Sequence, residues 1–383
     1  MHRTILSSVD FFLVPLLLFT LTPVFGTGFS DPLLTFFILT VIITVIIIRK
    51  GEALMKDSAD IRKINKNKIL KILWQGGQYT KQQLSVKTEL SVATCNTLLN
   101  EMERCGEVTG EKKRVQEVGR STVFYQINEA HESILCITFE VIKGIKLLNR
   151  TLLSTLGNVL EQKTANCRIL DYSVIEKYIS EMTEQYDNIS QIMIGTPSIA
   201  ESGIIRHCDI EELENEQIVH KLNRKFHLPV YLENDMHFRA YGYYRKNGSK
   251  NDVITLANFP SHILPGTASV HAGTIIKGKN QFAGMVGFLP FGMSRAKLLS
   301  MLKMPDGLPL IEKSVVSVIV MINPDKIVFT GDLLNEEILS RIRKSCLNFI
   351  PEAYMPDFVF EENMNTYYLE GMYRKALDLR TAQ

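Results

Sequence analysis

The hydrophobic positions change their spacing several times along the chain, and each change predicts an element. Ile64, Ile69, Ile72, Leu73 and Trp74 fall on one side of a helix, which Gly76-Gly77 closes. A second, short helix is predicted from Thr80, where Thr80 and Gln83 have the spacing of a capping box and Leu84 and Val86 supply apolar contacts. Ser91 N-caps a third helix that ends at Cys105-Gly106; Val92, Cys95, Leu98, Leu99 and Met102 recur on one face of it. The period then shortens. "EVTG" and the alternating "TVFYQI" flank a loop containing Lys112, Lys113, Arg114, Gly119 and Arg120, which predicts a β-hairpin. Three helices followed by such a hairpin predict a winged helix-turn-helix.

From residue 131 onward strands and helices alternate. The strand candidates are "SILCITFEV", "GIKLLNRTLL", "QIMIGTP", "PVYLEND", "DVITLANF", "KIVFTG" and "DFVFEE". The helix candidates are "YSVIEKYISEMTEQY", "EELENEQIVHKLNRKF", "MHFRAYGYYRKN", "PLIEKSVVSVIVMIN", "EEILSRIRKSC" and "NTYYLEGMYRKALDLR". This alternation predicts an α/β domain in two lobes. It contains no G-x-x-x-x-G-K-[ST], G-x-G-x-x-G, H-E-x-x-H or G-x-S-x-G motif.

The first 54 residues follow neither pattern. "FFLVPLLLFTLTPVF" and "PLLTFFILTVIITVIII" are each close to the shortest length that spans a bilayer, and Arg49-Lys50 follows the second. Two readings stand. One is a transmembrane hairpin with both ends in the cytoplasm by the positive-inside tendency. The other is upstream sequence translated from too early a start, with Met55 opening the polar stretch of a cytoplasmic regulator. The expected domains are therefore 1–54, 55–130 and 131–383.

A length of 383 residues gives room for two or three domains. The net charge of +2 points to no partner, but its distribution does: residues 56–88 carry eight basic and two acidic side chains. A basic segment ahead of a neutral body fits a small module for a polyanion. The six cysteines are scattered without a CxxC pair, which fits reduced thiols and argues against a cysteine zinc site.

The third helix makes the polyanion specific. Its outer face holds Ser91, Ala93, Thr94, Asn96 and Thr97, small and mostly polar where a solvated face normally carries Lys and Glu. The second helix of a helix-turn-helix enters the major groove, where short side chains allow close approach to base edges and Ala93 can meet a thymine methyl. Thr80, Lys81, Lys87, Lys112, Lys113 and Arg120 are the expected phosphate contacts. An amphipathic helix in a small protein-binding domain is the alternative.

The order of parts from about residue 56 on resembles the ROK family (repressors, open reading frames and sugar kinases), in its xylose-repressor-like and N-acetylglucosamine-repressor-like branch. The resemblance rests on "RKINKNKILKIL", "LSVATCNTLLNEMERCGEV", "IMIGTPSIAESGII", "YLENDMHFRAYG", "HAGTIIKGKNQFAGMVGFLPF" and "INPDKIVFTGDLL" in that order. It implies a winged helix fused to an actin-like, ribonuclease-H-like body of the sugar-kinase type. It also implies a repressor that binds a palindromic operator in double-stranded DNA as a homodimer or larger homo-oligomer, with a small-molecule effector for which a sugar is one candidate.

Several residues depart from the family pattern. The family's kinases have glycines in a phosphate loop where "CITFEVIKGIK" places Phe139, Glu140 and Val141. Ala-Gly-Glu-x-Gly-His becomes Ala283-Gly284-Met285-Val286-Gly287-Phe288, which removes a sugar-binding carboxylate and a histidine, and the cysteines expected after it are missing. No ATP, metal or other cofactor is expected, and no catalytic residue. Glucose, xylose and N-acetylglucosamine should bind weakly or not at all. Asn234-Asp235 survives as a candidate ligand contact. In the kinases the matching aspartate is the general base; here Asp235 also stands where an N-cap is ordinary, so a kinase retaining Asp235 is the alternative function. Gly331 is read as a turn glycine, and no role is assigned to His262 or His271.

Overall fold

The structure, a computed structural model, describes residues 58–113, 121–142, 144–208, 210–261 and 263–382. The two apolar N-terminal runs, Arg114, Gly119, Arg120 and His262 lie outside the described residues. Among the described residues no helix is long and apolar enough to cross a membrane. The described residues from 69 on form one compact unit.

Helix α1 (58–73) is followed by β1 (Tyr79–Thr80), α2 (Lys81–Thr88), α3 (Val92–Arg104), β2 (Val108–Lys113) and β3 (Thr122–Ile127). The three strands form an antiparallel sheet in the order β1-β3-β2. Local chemistry sets the boundaries. The Thr80 side chain accepts from Gln83 N, while Gln83 Oε1 accepts from Thr80 N at 2.8 Å, closing the capping box. Glu89 adopts φ +59° in the turn, Ser85 Oγ donates to Leu90 O at 2.5 Å, and Ser91 Oγ accepts from Thr94 N at 3.0 Å. Ser91→Ala should therefore lower stability by about 1 kcal/mol in chemical denaturation.

The body contains two sheets of one topology. Strands β4 (Ser133–Ile142), β5 (Ile145–Ser154), β6 (Val159–Cys167), β7 (Ile189–Thr196) and, after the small ribbon β8 (Ile199–Glu201) and β9 (Ile204–Arg206), β10 (Val230–Asn234) form the first sheet. Its order is β10-β7-β4-β5-β6, parallel on one side of β4 and antiparallel on the other. Strands β11 (Val253–Asn258), β12 (Gly266–His271), β13 (Thr274–Ile276), β14 (Lys326–Thr330) and β15 (Asp357–Phe360) form the second, ordered β13-β12-β11-β14-β15. In both, an antiparallel meander of three is extended by two parallel strands next to its first member, the ribonuclease-H-like pattern expected from the sequence.

The helices are α4 (Tyr172–Gln185), α5 (Ile218–Phe226), α6 (Asp235–Asn247), α7 (Arg295–Met301), α8 (Leu308–Ile322), α9 (Glu336–Cys346) and α10 (Asn365–Ala382). Strand alternation assigns them to layers. Leu135, Ile137 and Phe139 of β4 join a core with α4 and α5, whereas Ile134 and Cys136 face α10. Ile254, Leu256 and Val328 face α6, while Ala257, Ile327 and Phe329 join the core of α8 and α9. Helices α6 and α10 thus lie back to back between the sheets. They meet at glycines: a Cβ on Gly242 would stand 1.8 Å from Tyr367 O, and one on Gly371 1.9 Å from Phe238 O.

Two predicted elements differ. The helix expected over "EELENEQIVHKLNRKF" is a 3-10 turn, Glu211–Leu213, separated from α5 by Asn215 at φ +62°. Strand β6 gave no apolar run because it is an edge strand whose residues are mostly exposed.

Candidate nucleic-acid interface

Helix α3 is anchored by Cys95, Leu98, Leu99 and Met102, all buried. Its outer face carries the polar residues expected from the sequence, but in a more ordered state than the sequence conveys. The Asn96 carboxamide oxygen accepts from Lys81 Nζ, and that ammonium lies 5.4 Å from the Tyr125 ring centroid. Thr97 Oγ1 donates to Ala93 O at 3.1 Å, and Ser91 and Thr94 hydroxyls lie 2.9 Å apart. The Thr80 and Ser91 hydroxyls are used as caps; Ala93 and Thr97 are exposed. The structure brings Lys81, Ser91, Ala93, Thr94, Asn96 and Thr97 onto one surface made by the ends of α2 and α3.

The wing is a six-pair ladder from Val108↔Ile127 to Lys113↔Thr122. Lys113 folds back from it, 2.7 Å from Gln78 Oε1 and 3.0 Å from Glu111 Oε2, and Lys112 is exposed. Lys87 lies over the Tyr79 ring at 5.8 Å. The sequence pattern placed Val92 on the inner face; at 48% exposure it stands outward instead. A first-turn side chain points toward the helix N-terminus and so clears the core it is spaced for.

In the body, Asn234 and Asp235 lie where β10 passes into α6. The cap is Asn234, not Asp235: Asn234 Oδ1 accepts from Met236 N at 2.9 Å and His237 N at 3.3 Å. Its amide also donates to Ser198 O at 3.0 Å. Asp235 is the first helical residue, 3.6 Å from Arg239 Nε, and burial pushes its carboxyl up against the pull of that arginine. Arg239 also lies 4.7 Å from the ring centroid of Tyr368, delivered by α10.

In the "CITFEVIKGIK" stretch β4 pairs with β5 as far as Ile142↔Ile145, and Phe139 is buried. Met285 opens a 3-10 turn, and Phe288, exposed, packs edge-on against Phe282 at 5.1 Å with Arg295 over it. Gly331 takes φ +110°, and a Cβ there would stand 2.4 Å from Phe259 O, so close packing of β11 and β14 requires glycine. Among the described residues no group of three or more His, Cys, Asp or Glu side chains could hold a metal.

A charged cluster beside Asp235 was not anticipated. Glu233 is 1% exposed and accepts from Tyr231 OH at 2.8 Å and from Lys277 Nζ, with His237 Nδ1 2.8 Å away. Burial alone would raise its carboxyl; the His237 hydrogen bond and charge, then Lys277, outweigh that and hold it at about 2. Glu233 and His237 are an i, i+4 pair readable in the sequence, but Lys277 comes from the second sheet and nothing local announces it.

Residues 62–108 match the family model for winged helix-turn-helix DNA-binding, and residues 153–296 match that of the ROK family. A xylose repressor of Caldicellulosiruptor bescii is 26% identical over 240 residues, 59% of this chain and 58% of the relative, so the match spans under two thirds of that protein. Among solved structures, a ROK family transcriptional regulator described as a homolog of the E. coli MLC protein superposes with TM-score 0.63 at 18% identity, covering 84% of this chain and 99% of that one. A ROK hexokinase from Thermus thermophilus superposes with TM-score 0.51 at 14% identity, covering 65% and 99%. These two likenesses concern the fold, and they include a regulator and a kinase. The chain is thus similar to ROK family proteins over 153–296, with a match to winged helix-turn-helix DNA-binding modules ahead of that stretch.

Proposed function

We propose that the chain is a DNA-binding transcriptional regulator, a repressor of carbohydrate genes, with xylose utilisation the first candidate. In this reading residues 55–130 bind DNA, and residues 131–383 serve dimerisation and effector sensing, acting in the cytoplasm. The observation that carries it is the surface of α3, where Val92, Ala93, Thr94, Asn96 and Thr97 project from a capped, core-anchored helix beside Lys81. Asn96 keeps its Nδ2 for a base acceptor while Lys81 fixes its orientation. A homodimer would present two such helices to half-sites of a palindromic operator. The effector in this reading is a small molecule, a sugar being the first class to test.

Gel-shift binding to fragments of the protein's own locus tests this; affinity no greater than for random DNA at moderate salt overturns it. Asn96→Ala should cost about 1–3 kcal/mol on the cognate site and little on random DNA. Lys112→Ala should weaken all DNA alike and lower the salt slope by about one. Equal, sequence-independent losses for both would mean that α3 does not read bases.

The body is read as catalytically inactive. Support comes from the side chains of Phe139 and Glu140 on the paired strands β4 and β5, where a phosphate would need open backbone amides, and from Met285 and Phe288 in place of polar sugar contacts. A kinase using Asp235 as general base is the second reading, and the likeness to a hexokinase is what favours it. Phosphoryl transfer from ATP to hexoses or N-acetylhexosamines separates the two; no turnover is expected.

A further inference from the structure

We propose that Asn96 reads guanine, because Lys81 holds its carboxamide as a hydrogen-bond donor only. This rests on the DNA-binding reading above and names the base that α3 would contact through this residue.

Hydrogen-bond chemistry fixes which end of the carboxamide is free. The Lys81 ammonium has three N–H donors and no acceptor. The oxygen of Asn96, not its nitrogen, must therefore be the atom turned toward Nζ. The two residues come from the first turn of α2 and the second turn of α3, and a third element supports them. The same ammonium stands 5.4 Å from the ring centroid of Tyr125 on β3, and that ring is buried. Lys81 is thus held between an aromatic face and an amide oxygen, and both Lys81 and Asn96 are half-buried. A charge-assisted bond partly withdrawn from water is stronger than an exposed neutral one. The neighbouring hydroxyl does not compete as a donor, since Thr97 Oγ1 gives its proton to Ala93 O.

An asparagine with both ends free pairs with adenine, its oxygen accepting from N6 and its nitrogen donating to N7. Asn96 has lost the accepting half of that pattern. An adenine set against it would turn its N6 amino group toward Nδ2, donor against donor, close to a fixed positive charge. Cytosine offers the same mismatch through N4. Guanine presents two adjacent acceptors, N7 and O6, which match the two Nδ2 protons and attract the ammonium behind them. Thymine presents one, O4. Lys81 is then a positioning residue whose effect is to exclude adenine.

Selection from a randomised duplex library tests this, with the full chain and its Asn96→Ala, Lys81→Met and Lys81→Arg variants. The position at which Asn96→Ala loses its preference is the one Asn96 reads. The parent should enrich guanine there and bind that duplex roughly 5-fold or more tighter than the same duplex carrying adenine, the low end of what one base-edge contact discriminates. Lys81→Met frees the oxygen and should move the preference at that one position to adenine. Lys81→Arg, whose guanidinium also only donates, should keep guanine. A lysine that merely attracts phosphate would behave otherwise: Lys81→Met would weaken every duplex alike with the preference unmoved, and that result overturns the proposal. If Lys81→Met does not fold, the parent and Asn96→Ala carry the test, and any base other than guanine at their point of difference overturns it. A parent that selects a defined site with adenine at that position sinks this proposal and leaves the DNA-binding reading standing. A parent that enriches no sequence sinks both.

Discussion

Glu233→Gln should remove roughly 3 kcal/mol of stability at pH 7, together with the share of the chain's sensitivity to acid between pH 4.5 and 2 that this carboxyl carries. The carboxyl has an ordinary value of 4.5 and is held at about 2 in the folded chain. A depressed folded value means that the carboxylate's contribution is fully present above the unfolded value. It declines as pH falls from 4.5 and is gone below about 2. The size follows from the shift at about 1.4 kcal/mol per unit. It needs no large discount for solvent screening, because the side chain is 2% exposed. Gln keeps the shape and the acceptor oxygen but leaves Lys277 and His237 without a counter-charge. Urea unfolding of parent and variant at several pH values checks this; parallel pH profiles would refute it.

Gly242→Ala should be the most damaging single methyl in the body, costing about 3 kcal/mol or more in unfolding free energy. The added carbon would lie 1.8 Å from a backbone oxygen, that of Tyr367, and 2.7 Å from Gly371 N. Neither is the tip of a flexible side chain, so α6 and α10 must separate, and their neighbours sit in packed cores on both sides. Overpacking of this kind typically costs 1–3 kcal/mol, with larger values where backbone must move. Calorimetry should show a lower melting temperature with one cooperative transition; a melting temperature equal to the parent's would show that the crossing has room.

Elements whose apolar period reports one buried side were legible in the sequence. Helix α3, the long strands β4, β7 and β11, and helices α4, α6 and α10 lie where their patterns predict them. Strands β6, β12 and β13 were not anticipated. The first exposes most of its residues, and the others, "GTASVH" and "TII", are too small or too short to show alternation. For the candidate interface, residue types on α3 were legible but their hydrogen bonds were not, since Lys81 and Asn96 belong to different helices. The cap at α6 was assigned one residue late because Asn and Asp are both good caps, and only the geometry separates Asn234 from Asp235. Lys277 and Tyr368 were invisible for a common reason: each acts on residues from a distant part of the chain.

The shared core of Trp74 and Leu377 also bears on how the protein is made. A ribosome delivers the winged helix well before α10, so its core waits unfinished while the two sheets are synthesised. Until α10 arrives, Trp74 and Leu73 have lost one wall of their packing and present an apolar surface to the cell. Nascent chains without α10 would then hold a winged helix whose core is one wall short. The core of the winged helix would be closed only once α10 has been made, a consequence of where that helix docks.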